Sequence, residues 1–261
     1  MKWINALLLQ LLVALPALAQ ESAAAIAQKA AEVNLGFVAS RAEMTMSIFR
    51  SADDANPTVR HYVFKTREGK RGNDKVLIDF TSPSAISGTR MLGIGQAERD
   101  NEQWLYLPAF SRTRKIAQNT TSSAFVGSDF SFEDLSPLSF DKYDYAEPVE
   151  QLDHVAADGT ARPAYKITRM ARYPNSAYDQ QQVWIEQGSY RVLQVDAYQQ
   201  GELLKSATFT GYKLYGSYSW PDKITMTNVL KSSRTELSTQ KVQFGADLAL
   251  DREFNSELLS D

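Results

Sequence analysis

The sequence predicts a mainly β fold with few helices, a curled antiparallel half-barrel. The first observation is an alternation of apolar and polar residues in short stretches, from "RAEMTMSIFR" at residue 41 to "RTELSTQKVQFG" at residue 234. Such alternation is typical of strands that bury one face. The second is the turn residues between these stretches, such as Gln199-Gln200-Gly201, which favour hairpins. Together they give about eleven strands, and a sheet of that size must curl and cover one face.

The third observation is the single strong helical pattern, "SAAAIAQKAAEVN", which lies ahead of the first strand. It is rich in helix-forming residues, Ser22 suits an N-cap, and Gly36 lies near its end. Its apolar side consists of Ile26 and alanines. We therefore expect a helix that lies close against the sheet and covers part of it.

The segment 117–141 shows neither the helical nor the strand period, and it is rich in Ser, Thr, Gly and Phe. Within it, "VGSDFSFEDLSPL" interleaves aromatic residues with carboxylates. Loops of this length are uncommon in compact domains and are usually functional or disordered. We expect this segment to form the second half of a lid, with a short turn opened by Ser131.

The first nineteen residues are typical of a secretory signal peptide. Lys2 precedes an apolar run, and Ala17-Leu18-Ala19 matches a cleavage pattern. A membrane anchor is the alternative, but Pro16 stops the run early. The chain has no cysteine, and Gln20 stands where a lipid-modified cysteine would follow the cleavage site. We therefore predict an exported, periplasmic protein with no lipid anchor, in which residues 20–261 form one domain.

The composition argues against two classes of function. The formal net charge is −3, whereas nucleic-acid binding needs a basic face. The sequence contains no nucleophile elbow, H-E-x-x-H helix or phosphate-binding loop, and "LGIGQAE" lacks the third glycine of a dinucleotide fingerprint. We expect no cofactor, no metal and no catalytic residue.

The acids of the central segment leave three alternatives open. Asp129 and Glu133 would suit a glycosidase pair if their carboxyls converged. Asp129, Ser131 and Glu133 imitate the start of a calcium loop, but Phe140 stands where a bidentate Glu belongs. The third alternative, which we favour, is that these acids and Asp134 fix the backbone and gate something apolar.

Two arginines on one face of a predicted strand are the expected partners of those acids. Arg112 and Arg114 lie two residues apart in "PAFSRTRKI", just before the aperiodic segment, and Lys115 lies on the opposite face. Charge-assisted hydrogen bonds would let them clamp the acids as a latch, or they would meet a lipid head group. We favour the clamp.

Three motifs resemble a known bacterial family. "GTRMLGI", "EQWLYLPAFSRTRKI" and "FVGSDFSFEDL" are similar to motifs of outer-membrane lipoprotein-sorting proteins, relatives of the LolA/LolB carriers that are often linked to RND-type exporters. The resemblance implies a half-open, eleven-stranded β-barrel closed by helices around an apolar cavity for acyl chains. Its motif positions are Gly88, Thr89, Arg90, Trp104, Tyr106, Pro108, Arg112, Arg114 and Gly127 to Leu135. Arg90 thereby joins the latch candidates.

From the residues and the resemblance together we expect a carrier that binds lipid or lipoprotein acyl chains and touches membranes only transiently. The alternative is a periplasmic accessory that docks on an inner-membrane RND-type transporter and carries no lipid; a hydrolase using the central acids is a third possibility. Methionine and aromatic side chains give a pliable lining. The candidates are Met44, Met46, Ile48, Phe80, Met91, Trp104, Tyr106, Phe130 and Phe132.

Overall fold

The computed structural model describes residues 21–33, 35–70, 73–96, 99–137, 139–248 and 250–260. The predicted signal peptide lies outside these residues. The described helix is α1 (Ala23–Glu32), and the described strands are β1 (Ala39–Phe49), β2 (Thr58–Arg67), β3 (Lys75–Ser82), β4 (Arg90–Ile94), β5 (Glu102–Leu107), β6 (Arg112–Lys115), β7 (Tyr143–Val155), β8 (Ala161–Ala171), β9 (Gln180–Glu186), β10 (Val192–Gln199), β11 (Glu202–Thr210), β12 (Lys213–Tyr215), β13 (Tyr218–Trp220), β14 (Lys223–Asn228) and β15 (Ser233–Phe244).

Thirteen of these strands form one antiparallel sheet. Their order is β6-β5-β4-β3-β2-β1-β15-β14-β11-β10-β9-β8-β7, and β12 and β13 form a separate hairpin. The first and last strands of the order, β6 and β7, are the two edges, so the sheet is open rather than a closed barrel. The predicted fold class is confirmed, but the predicted number of strands is too low.

The strand that sequence analysis missed is β7. Buried and exposed residues do not alternate regularly along β7, because its sequence, "YDYAEPVEQLDHV", is polar on both faces over most of its length. Pro148 follows a cis peptide bond, and the pairing with β8 shifts its register between Ala146 and Glu150. A proline, a bulge and several acids are common on edge strands, where they hinder pairing with other chains. The strands β12 and β13 have three residues each, too few for a period to show.

The two faces of the sheet follow from the register. One row of opposite residues runs Leu105, Met91, Ile78, Phe64 and Ala42 across β5 to β1. All five belong to one apolar cluster that continues through β15, β14 and β11. We call this side of the sheet the inner face and the opposite side the outer face.

Helix α1 covers the inner face at the β7 end. Ser22 Oγ accepts a hydrogen bond from Ala25 N at 3.2 Å, which is the expected N-cap. Ala23, Ile26 and Ala27 are buried and pack with apolar residues of β7, β8 and β9. The small side chains let the helix lie close to the strands, as the sequence predicts. Among the described residues, no helix is long and apolar enough to cross a membrane.

The other half of the inner face is covered by residues 116–137 and 139–142, which we call the crossing loop. It connects β6 at one edge of the sheet to β7 at the other. Such a connection has to traverse a face of the sheet, and Phe125, Phe130 and Phe132 place it on the inner one. The predicted aperiodic excursion is thereby confirmed, apart from three single 3-10 turns.

The outer face is covered at the β3–β5 end by the C-terminal segment, residues 250–260. Phe254 and Leu259 are buried there against Ala39, Leu77 and Leu92. The segment holds two short 3-10 turns. The sheet is therefore packed on both faces in this region, and only the inner face carries the crossing loop.

Candidate functional site

The aromatic side chains of the crossing loop are inserted into the inner face. Phe125 is fully buried, and Phe130 and Phe132 are nearly so. The Phe125 ring stacks on Phe80 of β3 with centroids 5.8 Å apart, and Phe132 meets Phe125 edge-on at 5.4 Å. These three rings fill the space over the apolar part of the inner face.

Most of the predicted lining residues share this cluster. Seven of them lie together in it: Met44, Met46, Ile48, Phe80, Met91, Phe130 and Phe132. Trp104 and Tyr106 are a correction, because they pack on the outer face beside Leu92 and the C-terminal segment. Within β5 they alternate with Leu105, which faces inward, and side chains at adjacent positions of a strand point to opposite faces.

Asp129 fixes the crossing loop to β15. Its carboxylate accepts hydrogen bonds from Ser233 Oγ at 2.6 Å and from Thr235 Oγ1 at 2.7 Å. Its own backbone N–H donates to Thr235 Oγ1 at 2.9 Å. Asp129 and Thr235 are both buried. The side chain is satisfied by neutral hydroxyls of a central strand.

Glu133 fixes the loop to the turn between β8 and β9. Its Oε1 accepts from Tyr173 Oη and Ser176 Oγ, and its Oε2 accepts from Ala177 N, each at 2.7 Å. Burial raises the pKa of the Glu133 carboxyl above its ordinary value, although these hydrogen bonds act in the opposite direction. Loss of water around the charge outweighs the three donors.

Asp134 provides the third attachment, to β11. Its Oδ2 lies 3.4 Å from Lys205 Nζ, and both side chains are 10% exposed. Its Oδ1 accepts from Tyr178 Oη at 2.7 Å. Ser131 and Asp134 also exchange hydrogen bonds, N to Oδ2 at 2.7 Å and N to Oγ at 3.2 Å. This reciprocal pair forms the turn that the sequence predicts at Ser131.

The acids therefore have partners other than the predicted arginines. Arg112 and Arg114 are exposed on the edge strand β6, and neither makes an ion pair with Asp129, Glu133 or Asp134. The prediction that Arg112 and Arg114 clamp these acids is therefore wrong. The physical reason is distance across the sheet: β6 is the outermost strand, whereas the loop acids meet β15, β11 and the β8–β9 turn.

Arg90 is also misplaced by the prediction, since it lies on the outer face. Its Nε donates to Asp79 Oδ2 at 3.1 Å, and its Nη1 donates to the Leu259 carbonyl at 3.0 Å. It attaches the C-terminal segment to the sheet rather than the crossing loop. Among the latch candidates, only the three acids contact the loop's surroundings on the inner face.

Two attachments of the loop were missed by sequence analysis. Arg60 of β2 donates to the Val126 carbonyl, and Gln103 of β5 donates from Nε2 to the Phe132 carbonyl at 2.6 Å. Both are polar residues at inward positions of their strands. Register would have placed them there, but register follows from pairing and not from a single strand's pattern.

The loop adopts an unusual backbone at the point that Arg60 holds. Val126 has φ of 43° and Gly127 has φ of 78°. A β-branched residue rarely adopts this left-handed conformation, which costs about 1–3 kcal/mol unless its surroundings impose it. The strain is offset by the Arg60 hydrogen bond and by the packing of Val126 against the inner face.

A small polar cavity lies beside the end of the loop. Its volume is about 30 Å³, and its walls include Glu133, Gln103 and Lys142. Lys142 Nζ donates to the Arg99 carbonyl at 2.8 Å, and burial lowers the pKa of its ammonium group. Sites for small organic ligands usually measure about 300–1,000 Å³. This space is too small for an acyl chain.

The three acids of the loop serve as its attachments to the sheet and to the β8–β9 turn. The three carboxylates diverge to separate partners, whereas a hydrolase of the predicted kind needs two that converge on one bond. Gly93 of β4 shows how closely the loop lies on the sheet, because a Cβ there would stand 3.1 Å from Pro137 Cδ. The loop thus lies directly on an apolar sheet face.

Comparison with known proteins bears on this arrangement. A family model described as an uncharacterized protein matches residues 72–261. The crystal structure of an outer membrane lipoprotein-sorting protein domain from Vibrio parahaemolyticus is similar to this structure, with a TM-score of 0.82. The two sequences are 30% identical, and the match covers 91% of this chain and 98% of that one. The chain belongs to the outer-membrane lipoprotein-sorting protein family.

Two further structures share the lipoprotein-sorting fold. A DUF1329 family protein from Desulfovibrio piger is 24% identical, with a TM-score of 0.79 over 90% of this chain and 97% of that one. A LolA superfamily protein from Nitrosomonas europaea is 18% identical, with a TM-score of 0.70 over 90% and 98%. No curated protein matches the sequence.

The family motifs have a structural role in this chain. Gly88 has φ of 79°, and a Cβ there would lie 3.2 Å from Pro108 Cγ. The first and second motifs therefore touch at a point where a side chain would be strained and crowded. The third motif supplies the buried half of the crossing loop. The second motif also contains Gln103, which donates to the Phe132 carbonyl of the third motif.

Proposed function

We propose that the protein is a periplasmic carrier that binds acyl chains of lipids or lipoproteins on the inner face of its sheet. The observation that supports it is the apolar inner face covered by an irregular loop. Methionines 44, 46, 91 and 226 lie in that cluster, and their flexible thioethers adapt to ligands of varied shape. In the absence of ligand, the phenyl rings of the crossing loop fill the space that an acyl chain would occupy.

The energies suit reversible binding. Burying one methylene is worth about 0.8 kcal/mol, so a sixteen-carbon chain supplies on the order of 10 kcal/mol before ordering costs. Displacing the three phenylalanines costs roughly 1.5–3 kcal/mol each. The gain and the cost are of the same order. The loop therefore competes with the chain, and a carrier needs such competition in order to release what it binds.

In the proposed cycle the acids act as a latch and do no chemistry. When the loop lifts, the three acids lose their hydrogen bonds from hydroxyl groups and a backbone N–H, and Asp134 loses its ion pair with Lys205. Each of these polar groups is then exposed to water, which replaces the lost hydrogen bonds. Helix α1 covers the other half of the same face and completes the lid. We propose a binding protein rather than an enzyme.

A second candidate is a docking module of an RND-type transporter that carries no lipid. The observation that favours it is the filling of the inner face by Phe125, Phe130 and Phe132. The docking element would then be the other edge strand, β6, since an edge can pair with a strand of a partner, whereas Pro148 and the bulge of β7 hinder such pairing. The carrier and the docking module predict different contents of the purified protein.

The deciding experiment is native mass spectrometry of protein purified gently from its own periplasm, with lipid extraction alongside. A carrier is expected to retain a lipid at close to one per molecule. A protein that is free of lipid, and stays so after incubation with lipid vesicles, overturns the carrier. The search would then turn to protein partners on the transporter side.

The latch is tested by Asp129→Ala with a fluorescent fatty acid. The variant is expected to take up and release the probe faster than the wild type, because the loop loses its attachment to β15. Asp53→Ala is the matched control, since Asp53 is exposed in the turn after β1. Equal rates for the wild type and Asp129→Ala would remove the latch from the proposal.

A further inference from the structure

A cleft on the outer face has the features of a second ligand site, separate from the inner face. Its volume is about 450 Å³, within the range of about 300–1,000 Å³ that is usual for small-molecule sites. It lies between the outer side of β1–β4 and the C-terminal segment. Its walls include Arg41, Lys65 and Arg90 of the sheet and Arg252, Leu258 and Leu259 of the C-terminal segment.

The cleft is positively charged and partly apolar. Four of its residues are basic, two are acidic, and four are Val or Leu. A free inorganic anion would satisfy the charge and leave the apolar part in water. An uncharged hydrocarbon would bring no counterion for Arg252, the basic residue that remains after Arg41, Lys65 and Arg90 pair with Glu43, Glu253 and Asp79. We propose that the cleft binds an anionic amphiphile, a phosphate or carboxylate group attached to a short hydrocarbon chain.

The sheet register places cations side by side in the cleft. Arg41 of β1 lies directly opposite Lys65 of β2, and like charges at directly opposite positions destabilise a sheet. Glu43 pairs with Arg41 at 2.8 Å and Glu253 pairs with Lys65. A bound anion would stabilise this pair further by lying between the two cations.

The neighbouring row of the sheet holds a third cation in place. Arg90 of β4 lies opposite Asp79 of β3, and its guanidinium also donates to the Leu259 carbonyl. These two contacts fix its orientation before any ligand arrives. A pre-oriented guanidinium loses less entropy when it binds a phosphate or carboxylate. Arg252, which is exposed on the C-terminal segment, adds charge from the other wall.

The apolar part of the cleft is continuous with the packing of the C-terminal segment. Leu77 and Leu259 are buried, whereas Leu258 is 43% exposed. A hydrocarbon chain would cover the exposed side of Leu258 and extend the outer-face cluster. The site would thus bind the head by charge and the chain by burial. It shares no residue with the inner-face site.

The test uses octyl phosphate below its micelle concentration as the probe, followed by methyl NMR of leucines and methionines. We expect it to shift the methyl signals of Leu77 and Leu259 and to leave those of Met46 and Met91 unchanged. Two controls separate the parts of the probe: inorganic phosphate carries the charge without the chain, and octyl glucoside carries the chain without the charge. Each is expected to bind at least tenfold more weakly.

Arginine variants test whether the positive charges of the cleft bind the probe. Arg41→Gln with Arg252→Gln is expected to weaken octyl phosphate binding at least tenfold. The matched control, Arg112→Gln with Arg114→Gln, removes the same charge from the exposed edge strand β6 and is expected to stay within twofold. The single variant Arg252→Gln, at an exposed position, guards against a folding defect and is expected to weaken binding at least threefold.

Several results would overturn the site. Shifts confined to the methionine methyls would place the probe on the inner face, where they would instead support the carrier. Inorganic phosphate binding as tightly as octyl phosphate would show a plain anion site. Equal losses in both double variants would show unspecific attraction.

Discussion

Asp129 shows how much a single buried carboxylate contributes to holding the crossing loop. Replacing it with Ala leaves the hydroxyls of Ser233 and Thr235 without their acceptor. A buried polar group that loses its partner costs about 1–3 kcal/mol. We expect Asp129→Ala to lower the free energy of unfolding by that amount, as measured by urea denaturation.

A double-mutant cycle separates the hydrogen bonds from other effects of the substitution. In a background of Ser233→Ala with Thr235→Val, the donors are absent, and Asp129→Ala is expected to cost less than half as much. The difference is the coupling energy between the loop and β15. Purely additive costs would mean that these hydrogen bonds do not stabilise the closed loop.

Glu133 gives the loop a pH dependence whose sign follows from its environment. Burial raises the pKa of this carboxyl in the folded protein above its ordinary value. The folded state therefore binds the proton more tightly than the unfolded state, so its contribution to stability is full below the unfolded pKa and falls as pH rises through the folded pKa.

The corresponding measurement compares the wild type with Glu133→Gln, a neutral side chain of similar shape. We expect the wild type to gain stability relative to the variant as pH is lowered from 7.5 towards about 4.5, the ordinary range of a glutamate. Urea denaturation at several pH values gives the difference. A constant difference, or one that grows in the opposite direction, would contradict the raised pKa.

At the residue level, the sequence predicts which residues of a strand share one face, but not which of the two faces is the inner one. Met44, Met46 and Ile48 share one face by alternation alone. Trp104 and Tyr106 also share a face, yet it is the outer one. The difference depends on pairing between β1 and β5 through three intervening strands, and no local pattern carries that information.

At the scale of elements, the crossing loop is held by contacts to strands far away in sequence. Arg60 is one of these, and a charged donor to a carbonyl is worth about 1.5–3 kcal/mol. We expect Arg60→Gln to raise the opening of the loop roughly ten- to hundredfold. Hydrogen exchange at Phe125 N and Glu133 N reports it, since both are bonded within the loop.

The control for this prediction is Arg114→Gln, which removes an exposed arginine from β6. Its exchange rates in the loop are expected to match the wild type. Amides of β1 and β15 should be unaffected in both variants, because these strands lie in the middle of the sheet. Faster exchange throughout the sheet would mean that Arg60 supports the whole fold and not the loop.

Elements with a clear period are those that the sequence predicts well. Helix α1, its cap at Ser22 and the strands from β1 to β6 are found where the pattern places them. Strand β7 is missed because an edge strand needs no apolar face and tolerates Pro148. The acids of the loop are predicted as a latch, whereas their partners Thr235, Tyr173 and Lys205 lie between 40 and 106 residues away.

At the scale of the whole molecule, the strands that join the two halves of the sheet come from opposite ends of the chain. β1 pairs with β15 in the centre of the sheet, and this pair separates β2–β6 from β7–β11 and β14. Met46 and Leu237 lie opposite each other there, and both are nearly inaccessible to solvent. Contacts of such long sequence separation form late and slowly in folding.

The central position of β15 makes a prediction about truncated chains. A chain that ends at residue 231 lacks β15, so β1 and β14 have no common neighbour and the inner face is split. It is expected to lose the cooperative unfolding transition, observed by circular dichroism in urea. A chain that ends at Gly245 keeps β15 and loses Phe254 and Leu259, worth about 1.5–3 kcal/mol each. It should still unfold cooperatively at lower urea, and a cooperative transition in the shorter chain would show that the half-sheets fold independently.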